Sequence, residues 1–267
     1  MKNSLDEGDI PQPIAILGVT IHPLSISQLN ALIGEAVDQQ KKWIIAHHNL
    51  HSVYNYHHNS KMRDCYAQAK YVHIDGMALV LLGKFLGFSL EREQRVTYVD
   101  WINPLMAAAA ERGWRVFYLG SKPGIAETGV EVFRQKFNDL QIVTANGYFN
   151  SCQDSPENQE ILTQINQYQP HILMVGMGMP RQENWIIDNL DQISTNVILP
   201  CGAAIDYVAG AIPTPPRWAG KTGLEWLFRL IAEPKRLWRR YLLEPWFLLK
   251  LLLLDLWHNY NGRELKK

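Results

Sequence analysis

The chain has 267 residues, of which 47% are hydrophobic and 19% charged, enough apolar content to bury one large core with or without an appendage. Its 26 basic and 26 acidic residues cancel, so global charge does not mark a nucleic-acid binder, and any electrostatic function must come from local clustering. Cys65, Cys152 and Cys201 lie far apart without CxxC spacing, which argues against a disulfide framework or zinc knuckle and fits a reducing, cytoplasmic compartment.

The N-terminal MKNSLDEGDIPQP lacks the basic and apolar regions of a signal peptide, so export by that route is not expected. Ile14 to Ile21 reads as one short strand, and the serines at 25 and 27 offer caps for a helix through QLNALIGEAVDQQ. WIIA at Trp43 to Ala46 predicts a second strand, followed by the histidine-rich HHNLHSVYNYHHN. A helix around Met62 to Ala69 then leads to the strand YVHI, which ends at Asp75-Gly76. RVFYL at Arg115 to Leu119 is strand-like, GSKPG is a turn, and IAETGVEVFRQKF has helical spacing. IVTA, the helix Ile161 to Tyr168, HILMV and NVILP continue the alternation up to Cys201-Gly202.

Strands alternating with helices over some 200 residues predict an α/β core, residues 1–212, with a mainly parallel sheet flanked by helices. In such sheets ligands sit beyond the carboxyl ends of the strands, so polar residues just after strands are the ones to question. From Pro213 the texture changes: IPTPPRW is a proline-rich hinge, and Trp, Leu and Arg then mix without a strand pattern through residue 267. That stretch predicts a helical appendage. Tyr241 to Trp257 is too short, and too interrupted by Glu244, Lys250 and Asp255, to span a bilayer.

Asp75 is either an ordinary cap for the helix beginning at Met77 or a general base, since a carboxylate can take the proton of an attacking hydroxyl. Gly120 and Ser121 open a turn whose backbone could approach a phosphate, but the turn has neither the GxGxxG of a dinucleotide site nor the GK[ST] of a P-loop. Gly176-Met177-Gly178 is an incomplete dinucleotide fingerprint with Arg181 in the third glycine position, which counts against a nicotinamide enzyme. Arg181 and Glu183 read equally as a charged helix start. His47, His48, His51, His57 and His58 raise a metal site but come without a carboxylate partner at a diagnostic spacing. The chain holds no Asp-x-Asp to carry a divalent cation against a diphosphate, so no metal cofactor is expected.

Between Lys221 and Arg240 there are six basic residues and two acids. Arg229, Arg236 and Arg239, at spacings of seven and three, would share one face of a single helix. The cluster is either a solvated basic face or, with its interleaved Leu, Trp and Phe, a basic amphipathic surface for anionic lipid.

Asp75-Gly76, RVTYVD at 95–100, FYLGSKPG at 117–124, VGMGMPRQENWI, GAAIDYVAG at 202–210 and PPRWAGKTGLEWLFRLIAEPKRLWRRY together resemble the WecG/TagA/CpsF family of glycosyltransferases over nearly the whole chain. The resemblance implies a Rossmann-like core and a membrane-associating C-terminal appendage, peripheral on the inner face of the bacterial plasma membrane. The implied reaction is inverting transfer of a sugar, typically N-acetylmannosamine, from a UDP donor to undecaprenyl-diphosphate-linked GlcNAc. By position, Asp75 matches the catalytic base, Asn49 an active-site asparagine and Gln182 the glutamine of the P-[RK]-Q-E motif, with the amide expected to face the sugar. Arg229, Arg236 and Arg239 match arginines acting on the diphosphate, Arg95 the arginine of RVT, and Asp206 a residue near the nucleotide. His47 and His48 depart from a threonine and a proline, and Tyr98 from a glycine. Two other readings stand: a UDP-glucose or other UDP-hexose donor for exopolysaccharide, and a non-catalytic membrane-bound scaffold. Apolar core surface could also support a homo-oligomer.

Overall fold

The computed structural model describes residues 10–214, 218–219 and 224–264. Its centre is a six-stranded sheet made of β3 (Trp43–His48), β4 (Ala69–Ile74), β5 (Arg115–Gly120), β6 (Gln141–Ala145), β7 (Ile172–Gly176) and β8 (Val197–Pro200), ordered β4-β3-β8-β7-β5-β6 with every pairing parallel. This is the expected α/β class. The strands read as continuous apolar runs because both faces are covered. Side chains alternate between the faces: Ile172 and Met174 of β7 enter one core cluster, Leu173 and Val175 the other.

The first cluster is covered by α1 (Ile26–Asp38), α5 (Tyr98–Arg112), α6 (Ile125–Lys136) and α9 (Ala204–Val208). The second lies under α2 (Leu50–His58), α3 (Ser60–Gln68), α4 (Met77–Phe85), α7 (Pro156–Tyr168) and α8 (Arg181–Asn189). Ser25 starts α1 with a reciprocal cap: it accepts from Gln28 N–H, while the Gln28 side chain accepts from Ser25 N–H at 2.9 Å.

The apolar run Ile14–Ile21 departs from its single-strand reading. Leu17 and Gly18, both at positive φ, form a two-residue turn, and the run folds into an antiparallel hairpin of β1 (Ile14–Ile16) and β2 (Val19–Ile21) outside the main sheet.

The C-terminal segment is helical: α10 (Glu225–Ala232), α11 (Pro234–Leu242) and α12 (Glu244–Glu264). Pro234 disfavours helical geometry at Glu233, so the chain breaks there, and Arg229 lies on a different helix from Arg236 and Arg239. The single basic face drawn from their spacing is thereby corrected. Helix α12 docks on the core through Phe247, Leu248, Leu251 and Leu252. Trp246, Leu249, Leu253 and Trp257 on the same helix remain exposed, so it is apolar on more than its docked side. Among the described residues no helix is long and apolar enough to cross a membrane.

Candidate functional site

The carboxyl ends of β3, β4, β5, β7 and β8 open into one cleft of about 630 Å³, closed on its far side by α10 and α11. Asp75 follows the last residue of β4, and the cap position of α4 falls on Gly76, so its carboxylate does not cap that helix. It faces the cleft, about one-fifth exposed, and accepts from Asn49 Nδ2 at 2.9 Å. Asn49 is fixed at both ends of its amide. Its Oδ1 accepts from Ser52 N–H at 3.0 Å, which caps α2 in a reciprocal box with the serine hydroxyl.

His47 lines the same wall, with Nε2 3.6 Å from Asp75 Oδ2. Burial pushes the His47 ring below the ordinary imidazole value, against the pull of Asp75 and the Pro200 carbonyl, so it is neutral at physiological pH. Burial alone would raise Asp75. His47, the Asn49 hydrogen bond, Arg229 and His73 together outweigh it and hold the carboxyl below the usual carboxylate range. Behind this pair His73 is fully buried, and desolvation takes it down to about 3. His48 stacks on Tyr66 at 4.2 Å and shares a hydrogen bond with Ser52.

On the opposite side Ser121 Oγ donates to Asp206 Oδ2 at 2.7 Å, joining the turn after β5 to α9. Ser121 and Asp206 line the cleft, but Gly120 serves a different need. A Cβ there would run into the Gly176 carbonyl, so the glycine permits close approach of two strand ends rather than of a ligand.

The C-terminal helices contribute Arg229, Glu233, Leu237 and Arg240 to the lining. The Arg229 guanidinium lies 5.4 Å from the Tyr207 ring centre. Burial pulls Arg240 below its ordinary value, with Tyr241, Asp75 and Glu244 drawing it back up and Arg229 adding to the fall. Arg239 is exposed, sits against the Trp238 ring at 5.4 Å and does not line the cleft. The Arg236 side chain falls outside the described residues. Arg95 is held by Asp100 at 2.8 Å and is also absent from the lining; Thr97 and Tyr98 of the same motif face the cleft instead.

Gln182 reaches the cleft wall but is fully buried. Its Oε1 accepts from Gly178 N–H and Gly202 N–H, each at 3.1 Å, and its Nε2 donates to Glu183 Oε1 at 2.8 Å. The amide expected to face a sugar is therefore engaged with protein on both ends. Arg181, beside it, donates to the Phe149 carbonyl at 2.9 Å and lies over that ring. Pro180 stands at the N-cap position of α8 and makes no side-chain cap hydrogen bond.

Sequence reasoning singled out His47 and Tyr98 only as departures from the family pattern, near the expected pocket, and it missed Tyr207 and Arg240 as cleft residues. Arg240 carried a signal, membership in the basic cluster, but the one-helix spacing argument selected Arg239 in its place. The histidine-rich stretch has a structural use: His51 Nδ1 meets the Glu244 carboxylate at 2.8 Å and His57 Nε2 the Leu17 carbonyl at 2.9 Å. Among the described residues no three His, Cys, Asp or Glu side chains are grouped to hold a metal ion.

Residues 14–262 match the family described as "Glycosyl transferase WecG/TagA/CpsF family". A segment of the chain is 26% identical over 172 residues to N-acetylglucosaminyldiphosphoundecaprenol N-acetyl-beta-D-mannosaminyltransferase of Staphylococcus aureus strain NCTC 8325 / PS 47. The same identity over the same length holds for the protein of that description from strain COL. The match covers 64% of this chain and 65% of each relative, just under two thirds of their length.

Proposed function

Because the chain belongs to the WecG/TagA/CpsF family of glycosyl transferases, we propose that it is an inverting hexosaminyl transferase. The donor is a UDP-linked sugar, N-acetylmannosamine first among candidates, and the acceptor a polyprenyl-diphosphate-linked GlcNAc, the acceptor class named for the Staphylococcus aureus relatives. The observation that carries this reading is the pairing, in one cleft, of the ionised Asp75 carboxylate with Arg229 and Arg240.

Asp75 takes the proton of the acceptor hydroxyl as that oxygen bonds to the anomeric carbon. The bond from this carbon to the UDP oxygen breaks on the opposite face, and UDP leaves with the electron pair. Direct displacement needs one carboxylate and no covalent intermediate. The leaving diphosphate gains negative charge, which two guanidiniums in a partly desolvated cleft stabilise by charge-assisted hydrogen bonds. No metal is assigned to this step. The tryptophans and leucines left exposed on α12, beside a basic segment, suit the surface of an anionic membrane, where a lipid-linked acceptor is found.

The test is UDP release by the purified full chain with a lipid-diphosphate-GlcNAc acceptor and a panel of UDP-sugars, with and without EDTA. UDP-glucose belongs in the panel because His47 and Tyr98, which line the cleft beside Asp75, differ from the pattern noted above. Release with UDP-N-acetylmannosamine is the expected result. Release with no donor would leave the chain as a binding module.

A further inference from the structure

We propose that Glu183 is a positioning residue: its carboxyl, behind the cleft, orients the Gln182 amide so that one oxygen staples together the two glycine turns that form the donor-binding floor. The proposal rests on the UDP-sugar reading of the cleft. It adds to that reading a residue that touches no substrate, and a pH dependence.

Three hydrogen bonds make the staple. Glu183 Oε1 accepts from Gln182 Nε2 at 2.8 Å, and Gln182 Oε1 accepts from Gly178 N–H and Gly202 N–H at 3.1 Å each. The first glycine belongs to the turn after β7 and the second to the turn after β8, and both turns line the cleft. An amide oxygen and nitrogen are nearly isosteric, so the side chain could be placed either way round. Only one orientation sets an acceptor against two backbone donors. The acceptor on Glu183 selects that orientation, because the amide nitrogen must then point away from the turns. Gly178 and Gly202 have φ of +80° and +56°, so the turns lie where L side chains are rarely found, and their shape depends on such external ties.

Glu183 is fully buried, and its second oxygen, Oε2, has no hydrogen-bond partner among the described residues. The ionisable groups that face it are Cys65 and Tyr66 on α3 and Cys201 after β8. None is a cation, and burial keeps each of them neutral. Among the described residues a charge at Glu183 therefore has no counter-ion, and burial raises this carboxyl to about 7, against the hydrogen bonds from Gln182 and its own backbone. Below that pH the group is neutral and the staple is closed. As pH rises through it, two hydrogen bonds are too little to hold a buried charge, and the water it draws into the seam between α8 and α3 would loosen the first turn of α8, where Gln182 sits.

The experiment measures UDP affinity by calorimetry on the full chain between about pH 6 and pH 8.5, in wild type, Glu183→Gln and Gln182→Ala, with melting followed in parallel. Wild-type affinity is expected to fall with rising pH, by as much as about tenfold per unit above the titration. Glu183→Gln keeps the acceptor oxygen and cannot ionise, so it should hold its low-pH affinity throughout. In transfer assays its gain at high pH should appear in KM for the donor more than in kcat. Gln182→Ala should bind weakly with little pH dependence, and it serves as the test should Glu183→Gln fail to fold. Parallel pH courses in wild type and a folded variant would overturn the staple while leaving the transferase reading standing. A wild-type chain that binds no UDP at about pH 6 would overturn both.

Discussion

Asp75 in the cleft and Glu183 behind it are two carboxyl groups pushed in opposite directions. Asp75 keeps some solvent, a hydrogen bond from Asn49 and nearby guanidiniums, and stays ionised; Glu183 has a hydrogen bond from Gln182 but is fully buried with no cation among the causes of its shift, and is raised. Replacing Asp75 with Asn should lower kcat by about two to four orders of magnitude while UDP binding and the melting temperature hold, as measured by UDP release and calorimetry. Retained kcat would place the base elsewhere, with His47 the nearest alternative. The stability consequence of Glu183 follows from its sign. A raised carboxyl contributes stability below its unfolded value of 4.5, loses it as pH rises to about 7, and above that leaves the fold carrying a buried charge. Glu183→Gln should therefore melt higher than wild type above neutrality, with a gain approaching about 3 kcal/mol and fading below about pH 4.5. A variant less stable than wild type at about pH 8.5 would contradict this.

At the scale of elements, periodicity could be read directly. β5, β7 and β8 are continuous apolar runs flanked by turn residues, and α1 announces its start with Ser25 and Gln28. Ser25→Ala should cost about 1 kcal/mol in chemical denaturation, the usual loss for a cap. The turn at Leu17-Gly18 escaped the reading because its dipeptide lies inside an apolar run, where β-branched neighbours look like one strand. The break at Glu233 was readable in principle from Pro234, but the spacing of the arginines spoke for a single helix. Strand ends approach so closely that a Cβ on Gly176 would meet the Tyr118 hydroxyl and the Gly202 carbonyl. Gly176→Ala should lower the melting temperature and weaken UDP binding together, since the backbone that must shift is the cleft floor. On α12, the pair between His51 and Glu244 joins the last helix to α2 beside the cleft. His51→Ala should expose α12 to limited proteolysis sooner than in wild type, with the sheet core still protected.

For the whole molecule, the cleft is composite. The sheet supplies Asp75, Asn49 and the glycine turns, α8 supplies Arg181, and the C-terminal helices supply Arg229 and Arg240. Removing residues 213–267 should abolish transfer in the UDP-release assay. The α/β core should remain folded by circular dichroism, because of its fully buried side chains only Leu248, among those named in the two clusters, comes from beyond residue 212. Undiminished activity in the truncated chain would show that the arginines are dispensable.

The sequence by itself determined the class of fold, the placing of Asp75 and Asn49 after strands, and the basic, apolar character of the last segment. These follow from local patterns: the two-residue and 3.6-residue periods, caps, turn residues and composition. Only the tertiary structure decided the strand order, the choice of Arg240 over Arg239 for the cleft, and the turning of Gln182 away from any ligand toward Glu183, Gly178 and Gly202. The reason is physical. Which way an amide points, and which of two adjacent arginines is buried, depends in part on partners as distant in the chain as Gly202 from Gln182 and Asp75 from Arg240, and such partners are chosen by packing, which no local pattern records.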